Sequence, residues 1–565
     1  MRFFLAVIFF AFLTSCSSAP QTPQSTDSVH YVIEPTVFEA KPALHFHLSF
    51  TGTQTGRTFL ELPSQWASES DYFKDLKELK VITPKVLMEN GAKPYIKILS
   101  HKPQEVIEIS YILTEQKPHG DQPYRSLIKN EYFHFIGHAA FVVPNSADNI
   151  NLKFDIRWKN FPSSFKFANS FNSDSEHLWL QTNIGNLKQS VFLGGDYRLS
   201  KVTVNNQPLY IAMRGKWSFV DEEFFSAVRS VVEFQRNFWN DHGFPYFFVS
   251  LMPVRIEKGS MAGGTGLTNS FSMYVSEDLN LKNDIIPLLS HEHFHTWNGS
   301  KIHQVSPEEL YYWFSEGFTS YYSRLFILRA GYMTLKEYVD DINRDIFDYS
   351  ISPVKTAPNA RIKKEFWKNE FIGKLPYYRG DLLALNWNTK IKQDSLGKRS
   401  LDDFMKAMYE LSKTQDPAVD DKSVSELIRK DVPSVAADLR AYIWQGNMIT
   451  PHEKALGSCV KREFISLGKF EHGFDADKTY ALGVITGLKN GSPAHKAGLR
   501  EGMKLLDRKM VYPPFSESQV KVLIHGEEKW LSFLPVSQKK HLMPHYILDE
   551  KMFKKDPKKC LDWFM

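Results

Sequence analysis

The run His291-Glu292-His293-Phe294-His295 sets two imidazoles four residues apart, with a carboxylate beside the first. On a helix, His291 and His295 share one face, one turn apart. That arrangement suits two ligands on a single zinc ion, and Glu292 then lies close enough to act as general base. Glu316 follows, in the run Trp313-Phe314-Ser315-Glu316-Gly317-Phe318-Thr319. A carboxylate from a second helix completes a His-His-Glu set and leaves a coordination position open. Zn2+ held in this way acidifies a water and polarises a carbonyl, so hydrolysis is the chemistry these residues point to. His293 points to another face, since each residue turns the helix by about 100°, and it reads as a packed histidine.

The elements that must hold these groups are legible around them. The histidine helix is expected to start near Asp284 as N-cap, with Pro287 in the first turn and Leu288 and Leu289 burying one side. Ser306-Pro307-Glu308-Glu309 reads as a capping box, with a second helix running to about Ala330 and ending at Gly331. Upstream, Val220 to Asp241 has a helical apolar period through Phe224, Val228, Val231, Val232 and Phe234. Phe247 to Pro253 and Phe271 to Val275 read as strands, and the four glycines between 259 and 266 predict a loop or a tight edge.

Residues 29–205 alternate in the manner of a sandwich or curved sheet, as in Leu44 to Phe50, Val106 to Tyr111, Phe135 to Val143 and Asn151 to Trp158. His45 and His47 share one strand face there and read as partly exposed. Residues 381–445 read as helical, in the segments Leu401 to Leu411, Val424 to Arg429 and Val435 to Trp444. Short strands return after about Gly457, including Val520 to Ile524 and Trp530 to Phe533, and the Lys-rich end reads as a partly ordered, solvated tail. The fold class is therefore α+β and multidomain.

At 565 residues the chain exceeds one core and implies three or four units. A net charge of +5 with no basic stripe excludes a dedicated nucleic-acid binder. Arg2 and the apolar run Phe3 to Leu13 form a targeting segment too short to span a bilayer. Leu13-Thr14-Ser15-Cys16 resembles the bacterial lipobox, which implies lipidation of Cys16 and a body tethered to the cell envelope, on the outer-membrane side by the Ser17 that follows. That leaves Cys459 and Cys560, whose pairing the sequence leaves open.

Taken together, HEHFHTWNGSKI and WFSEGFTSYY resemble the glycyl aminopeptidase family of gluzincin metallopeptidases. Pro376-Tyr377-Tyr378-Arg379-Gly380 is similar to the Tyr-x-x-Gly motif of these enzymes. The resemblance implies Zn2+ on His291, His295 and Glu316, Glu292 as base, and an oxyanion-stabilising hydroxyl at Tyr377, with Tyr378 as the alternative register. It implies an N-terminal β domain over 29–205, a thermolysin-like catalytic domain over 206–456 and a PDZ-like β domain over 457–540, between a 1–28 leader and a 541–565 tail. The PDZ core motif would be Gly491 to Gly502, with Tyr480 to Val484 as the peptide-binding loop and strand, so a peptide ligand is expected there as well as a peptide or protein substrate. Family members carry Gly-Gly-Leu-Glu-His before the zinc helix, and its Glu grips the substrate's α-amine. This chain has Gly263-Gly264-Thr265-Gly266-Leu267, so the glycine edge and Ser270 remain as substrate-binding candidates while the carboxylate is missing. Glu257 is a candidate replacement. The expected function is zinc-dependent peptide hydrolysis with the end-preference open; the alternative is an envelope protein that binds zinc and peptide without turnover.

Overall fold

The alternating runs of the N-terminal third form strands because period-two apolar residues bury one face of a sheet. The computed structural model describes residues 5–6, 28–66, 69–115, 125–144, 150–173, 175–256, 259–431 and 437–565. The expected lipidation site Cys16 and the alternative carboxylate Glu257 lie outside them. Contacts divide the chain into two units, residues 1–300 and 301–565. The whole is α+β, and no described helix is long and apolar enough to cross a membrane.

In the first unit, a six-stranded sheet takes the order His177–Thr182, Leu152–Trp158, Ser28–Phe38, Lys41–Thr51, Val106–Thr114, Leu76–Val81. A five-stranded and a four-stranded sheet pack around the same core, which Phe46, Tyr111, Phe135, Phe141, Trp158 and Phe192 fill with contacting rings. The expected strand Phe135 to Val143 is broken. Tyr132–Ile136 is strand, Gly137–Ala140 makes a helical turn, and pairing resumes at Val143–Pro144. A second six-stranded sheet runs Leu5–Ala6, Ala262–Leu267, Ser270–Val275, Phe247–Pro253, Gln207–Met213, Arg198–Val204. The expected boundary at 205/206 falls on the Asn205–Asn206 turn of a hairpin in this sheet, whose strand Arg198–Val204 lies before that boundary.

The second unit is helical to Trp444 and then β-rich. Its first helix departs from the expected capping box. Pro307 is extended (ψ 130°) with no side-chain cap, a tight turn covers Glu308–Tyr311, and a wide π-type turn over Trp313–Phe318 leads into the α-helix Thr319–Arg329. Segment Tyr480 to Leu482, expected as loop and strand, belongs to the helix Ala476–Leu482. Asp475 caps that helix by accepting from the Lys478 amide, and Gly483 ends it in the left-handed region, so local capping outweighs the strand reading.

The Lys-rich end is not a solvated tail. Val536–Leu548 pairs antiparallel with Val460–Phe470, and Tyr546 and Phe564 are buried. Cys560 is disulfide-bonded to Cys459, with Cα atoms 5.5 Å apart. This closes a loop of 101 residues, so Cys560→Ser is expected to cost about 2–5 kcal/mol. Urea unfolding of the oxidised protein and the variant measures it; coincident midpoints would refute the expectation.

Candidate metal centre

The helix carrying the histidines spans Ile286–Phe294, entered through a wide turn over Leu281–Ile285. Its cap lies four residues before the one expected. Asn280 accepts from the Lys282 and Asn283 amides, while Asp284 reaches back to accept from the Asn280 amide at 2.7 Å. Pro287 sits at the start of the α-helix, where its missing N–H costs nothing. Every residue from Leu288 to Phe294 is buried.

His291 and His295 turn their Nε2 atoms toward each other at 3.2 Å. Two nitrogens on one tetrahedral zinc, each about 2.0–2.1 Å from it, stand roughly 3.3 Å apart. His295 Nδ1 lies 2.9 Å from the Asn298 carbonyl, which can only accept, so the ring proton is on Nδ1 and Nε2 keeps its lone pair. The donor set therefore fits zinc.

His293 is engaged elsewhere. Its Nδ1 donates to Gln235 Oε1 at 2.8 Å, and the Gln235 amide nitrogen donates to the Ser290 carbonyl and hydroxyl. Burial, and then the Arg236 guanidinium, hold the His293 pKa well below the ordinary imidazole value, so it is a neutral packed ring. Gln235 was not foreseen. Its only sequence signal is a polar residue at a core-facing position of the amphipathic helix Asp221–Trp239, after the buried Val228, Val231 and Val232.

Glu316 is fully buried in the π-type turn Trp313–Phe318, a distortion that recurs at functional sites. Tyr377 is half-buried on the helix Glu370–Asp394, one turn before Gly380. The two elements touch backbone to backbone. A Cβ on Gly380 would stand 1.8 Å from the Trp313 carbonyl oxygen, and one on Gly317 would stand 2.3 Å from Gly380 Cα. Arg324, on the helix that continues the turn, binds both oxygens of Asp381 at 3.1 and 3.0 Å. Tyr378 lies among acids: burial, Asp348 and Asp345 push its hydroxyl pKa far up.

Among the described residues, the ligand atoms of His291, His295 and Glu316 all lie within 4.8 Å of one another. Residues 284–361, which contain all three, match the M61 glycyl aminopeptidase family. The segment that carries the site is therefore similar to that of glycyl-aminopeptidase-like gluzincins. The chain is a zinc metallopeptidase, and its chemistry is peptide hydrolysis. A solved aminopeptidase N family protein from Idiomarina loihiensis is similar to this chain at TM-score 0.64 and 15% identity, over 95% of this chain and 100% of that one, which shows a shared fold. An M1 zinc metallopeptidase from Deinococcus radiodurans is similar at TM-score 0.46 and 14% identity, over 76% and 97% of the two chains. No curated protein matches the sequence.

The glycine segment is a strand, Ala262–Leu267, joined to Ser270–Val275 by the Thr268–Asn269 turn. Gly264 is required by packing, since a Cβ there would stand 2.3 Å from the Phe271 ring. Gly266 lies opposite Phe271 in the register. The Ser270 hydroxyl is buried and bonded to Ser170 Oγ at 2.8 Å and to the Thr268 carbonyl at 3.1 Å, so it holds the turn.

Proposed function

We propose that His291, His295 and Glu316 hold the zinc, that Glu292 is the general base, and that the Tyr377 hydroxyl stabilises the oxyanion. The observation that carries this reading is the buried His-His-Glu group with its ligand atoms within 4.8 Å. When bound, zinc supplies the Lewis acid. Glu292 takes the proton of the attacking water and passes it to the departing amine. Tyr377 donates to the oxygen that becomes negative. The acidic surroundings of Tyr378 oppose a developing anion, which favours Tyr377 for this role.

We further propose that cleavage does not depend on a free amino terminus. Thr265, Gly266 and Leu267 offer no carboxylate to an ammonium, and the strand edge at Ala262 and Gly263, which pairs with Leu5 and Ala6 of the expected leader, would take an extended peptide once that leader is removed. The test is a matched pair of peptides, free and N-acetylated. Comparable kcat/KM for the two is expected; hydrolysis of the free-amine peptide alone would overturn the reading.

A lipid-anchored place in the bacterial envelope rests on the leader and Cys16, and the Cys459–Cys560 bond suits an oxidising compartment. For residues 457–540 the PDZ-like reading, with a peptide ligand, is supported by a small core of Phe474, Ile485, Ala494, Leu499, Val520 and Val522 around the Gly491 to Gly502 motif.

A further inference from the structure

We propose that Glu34, His45 and His47 form a second metal site, for a late first-row divalent ion, on the face of the N-terminal six-stranded sheet. His45 and His47 are two residues apart on the strand Lys41–Thr51, so both rings leave the same side, with centroids 4.2 Å apart. Glu34 is the register partner of His45 on the strand Ser28–Phe38, and its Oε2 lies 3.9 Å from His47 Nε2. One ligand atom from each residue lies within 4.8 Å of the other two. Ligand atoms on a tetrahedral ion stand roughly 3.3 Å apart, so ångström-scale side-chain movement closes the set.

Two neighbours orient the group. His45 Nε2 lies 2.7 Å from Ser110 Oγ, and an Nε2–H donated there leaves Nδ1 with its lone pair. Asn160 Nδ2 donates to Glu34 Oε1 at 2.5 Å, which leaves Oε2, the oxygen nearer His47, for an ion. The nearby cation Lys80, opposite Ser110 in the register, lies 3.9 Å from Glu78. His47 is 47% exposed and Glu34 26%, so an ion reaches the group from solvent. Imidazole and carboxylate donors suit Cu2+ and Zn2+, with Cu2+ held more tightly.

The zinc-loaded full chain is titrated with Cu2+ and followed by paramagnetic resonance. One further ion per chain is expected, with hyperfine structure from two imidazole nitrogens. His45→Ala with His47→Ala abolishes that signal, Glu34→Gln weakens binding by about tenfold or more, and peptide hydrolysis is unchanged in both variants. Circular dichroism checks their folding, and the milder Glu34→Gln keeps the test intact should the double variant fail to fold. No further ion at micromolar Cu2+, or a signal that both variants leave unaltered, overturns the proposal.

Discussion

Glu292→Gln is expected to lower kcat by about 10²–10⁴-fold, the usual contribution of a general base, while zinc content and KM stay near wild type. Glu292 follows His291 directly on the buried helix, about 100° around it, and is not one of the three grouped ligands. The amide keeps the shape and hydrogen-bonding capacity of the side chain but cannot take a proton from water. An uncharged group in a site only 5% exposed also costs less to bury than a carboxylate, so the variant should fold at least as well as the parent. Metal analysis beside steady-state kinetics separates the outcomes. Loss of zinc together with activity would make Glu292 a structural residue, and unimpaired turnover would remove it from the mechanism.

The histidine pair was legible because a four-residue spacing has one meaning on a helix, and Glu316 because its context is specific. The surrounding supports were less so. Asn280 and Asp284 are equally good caps by residue type, and only the wide turn at Leu281–Ile285 decides that Asn280 caps and Asp284 reciprocates. The Ser306-Pro307-Glu308-Glu309 box has the right letters, but an extended Pro307 takes the segment out of the helix. Gln235 was invisible because its partner, His293, lies 58 residues away. The C-terminal end misled by composition. Lys539 and Lys540 precede Leu542, Met543 and Tyr546 on a strand that needs Val460–Phe470 to pair, and a pairing over that distance leaves no local mark. The cysteine pair was named as a candidate, yet only folding brings the two within bonding distance.

Gly380→Ala should be the most damaging single methyl in the second unit. There is no room for it: the Trp313 carbonyl oxygen would stand 1.8 Å from the new Cβ, and both obstacles, that oxygen and Gly317 Cα, are backbone atoms that cannot rotate aside. The helix Glu370–Asp394 must then move off the turn that carries Glu316. Overpacking of this kind costs about 1–3 kcal/mol or more, read as a fall in Tm. The functional loss should exceed the loss of stability. Tyr377 is one turn before the inserted methyl and Glu316 is next to Gly317, so the same shift separates the proposed oxyanion donor from the proposed ligand. A misplacement of about 1 Å is enough for roughly 10²-fold in rate. Tyr377→Phe gives the reference. It should lose about 10²–10³-fold in kcat, as removal of one oxyanion donor does, but leave Tm and zinc affinity intact. Gly380→Ala should lower all three together, because Arg324 and Asp381 still tie the two helices just beyond the methyl and make the displacement a tilt that is largest towards Tyr377. Wild-type Tm and turnover in Gly380→Ala would show that the backbone contact does not set the distance between these groups.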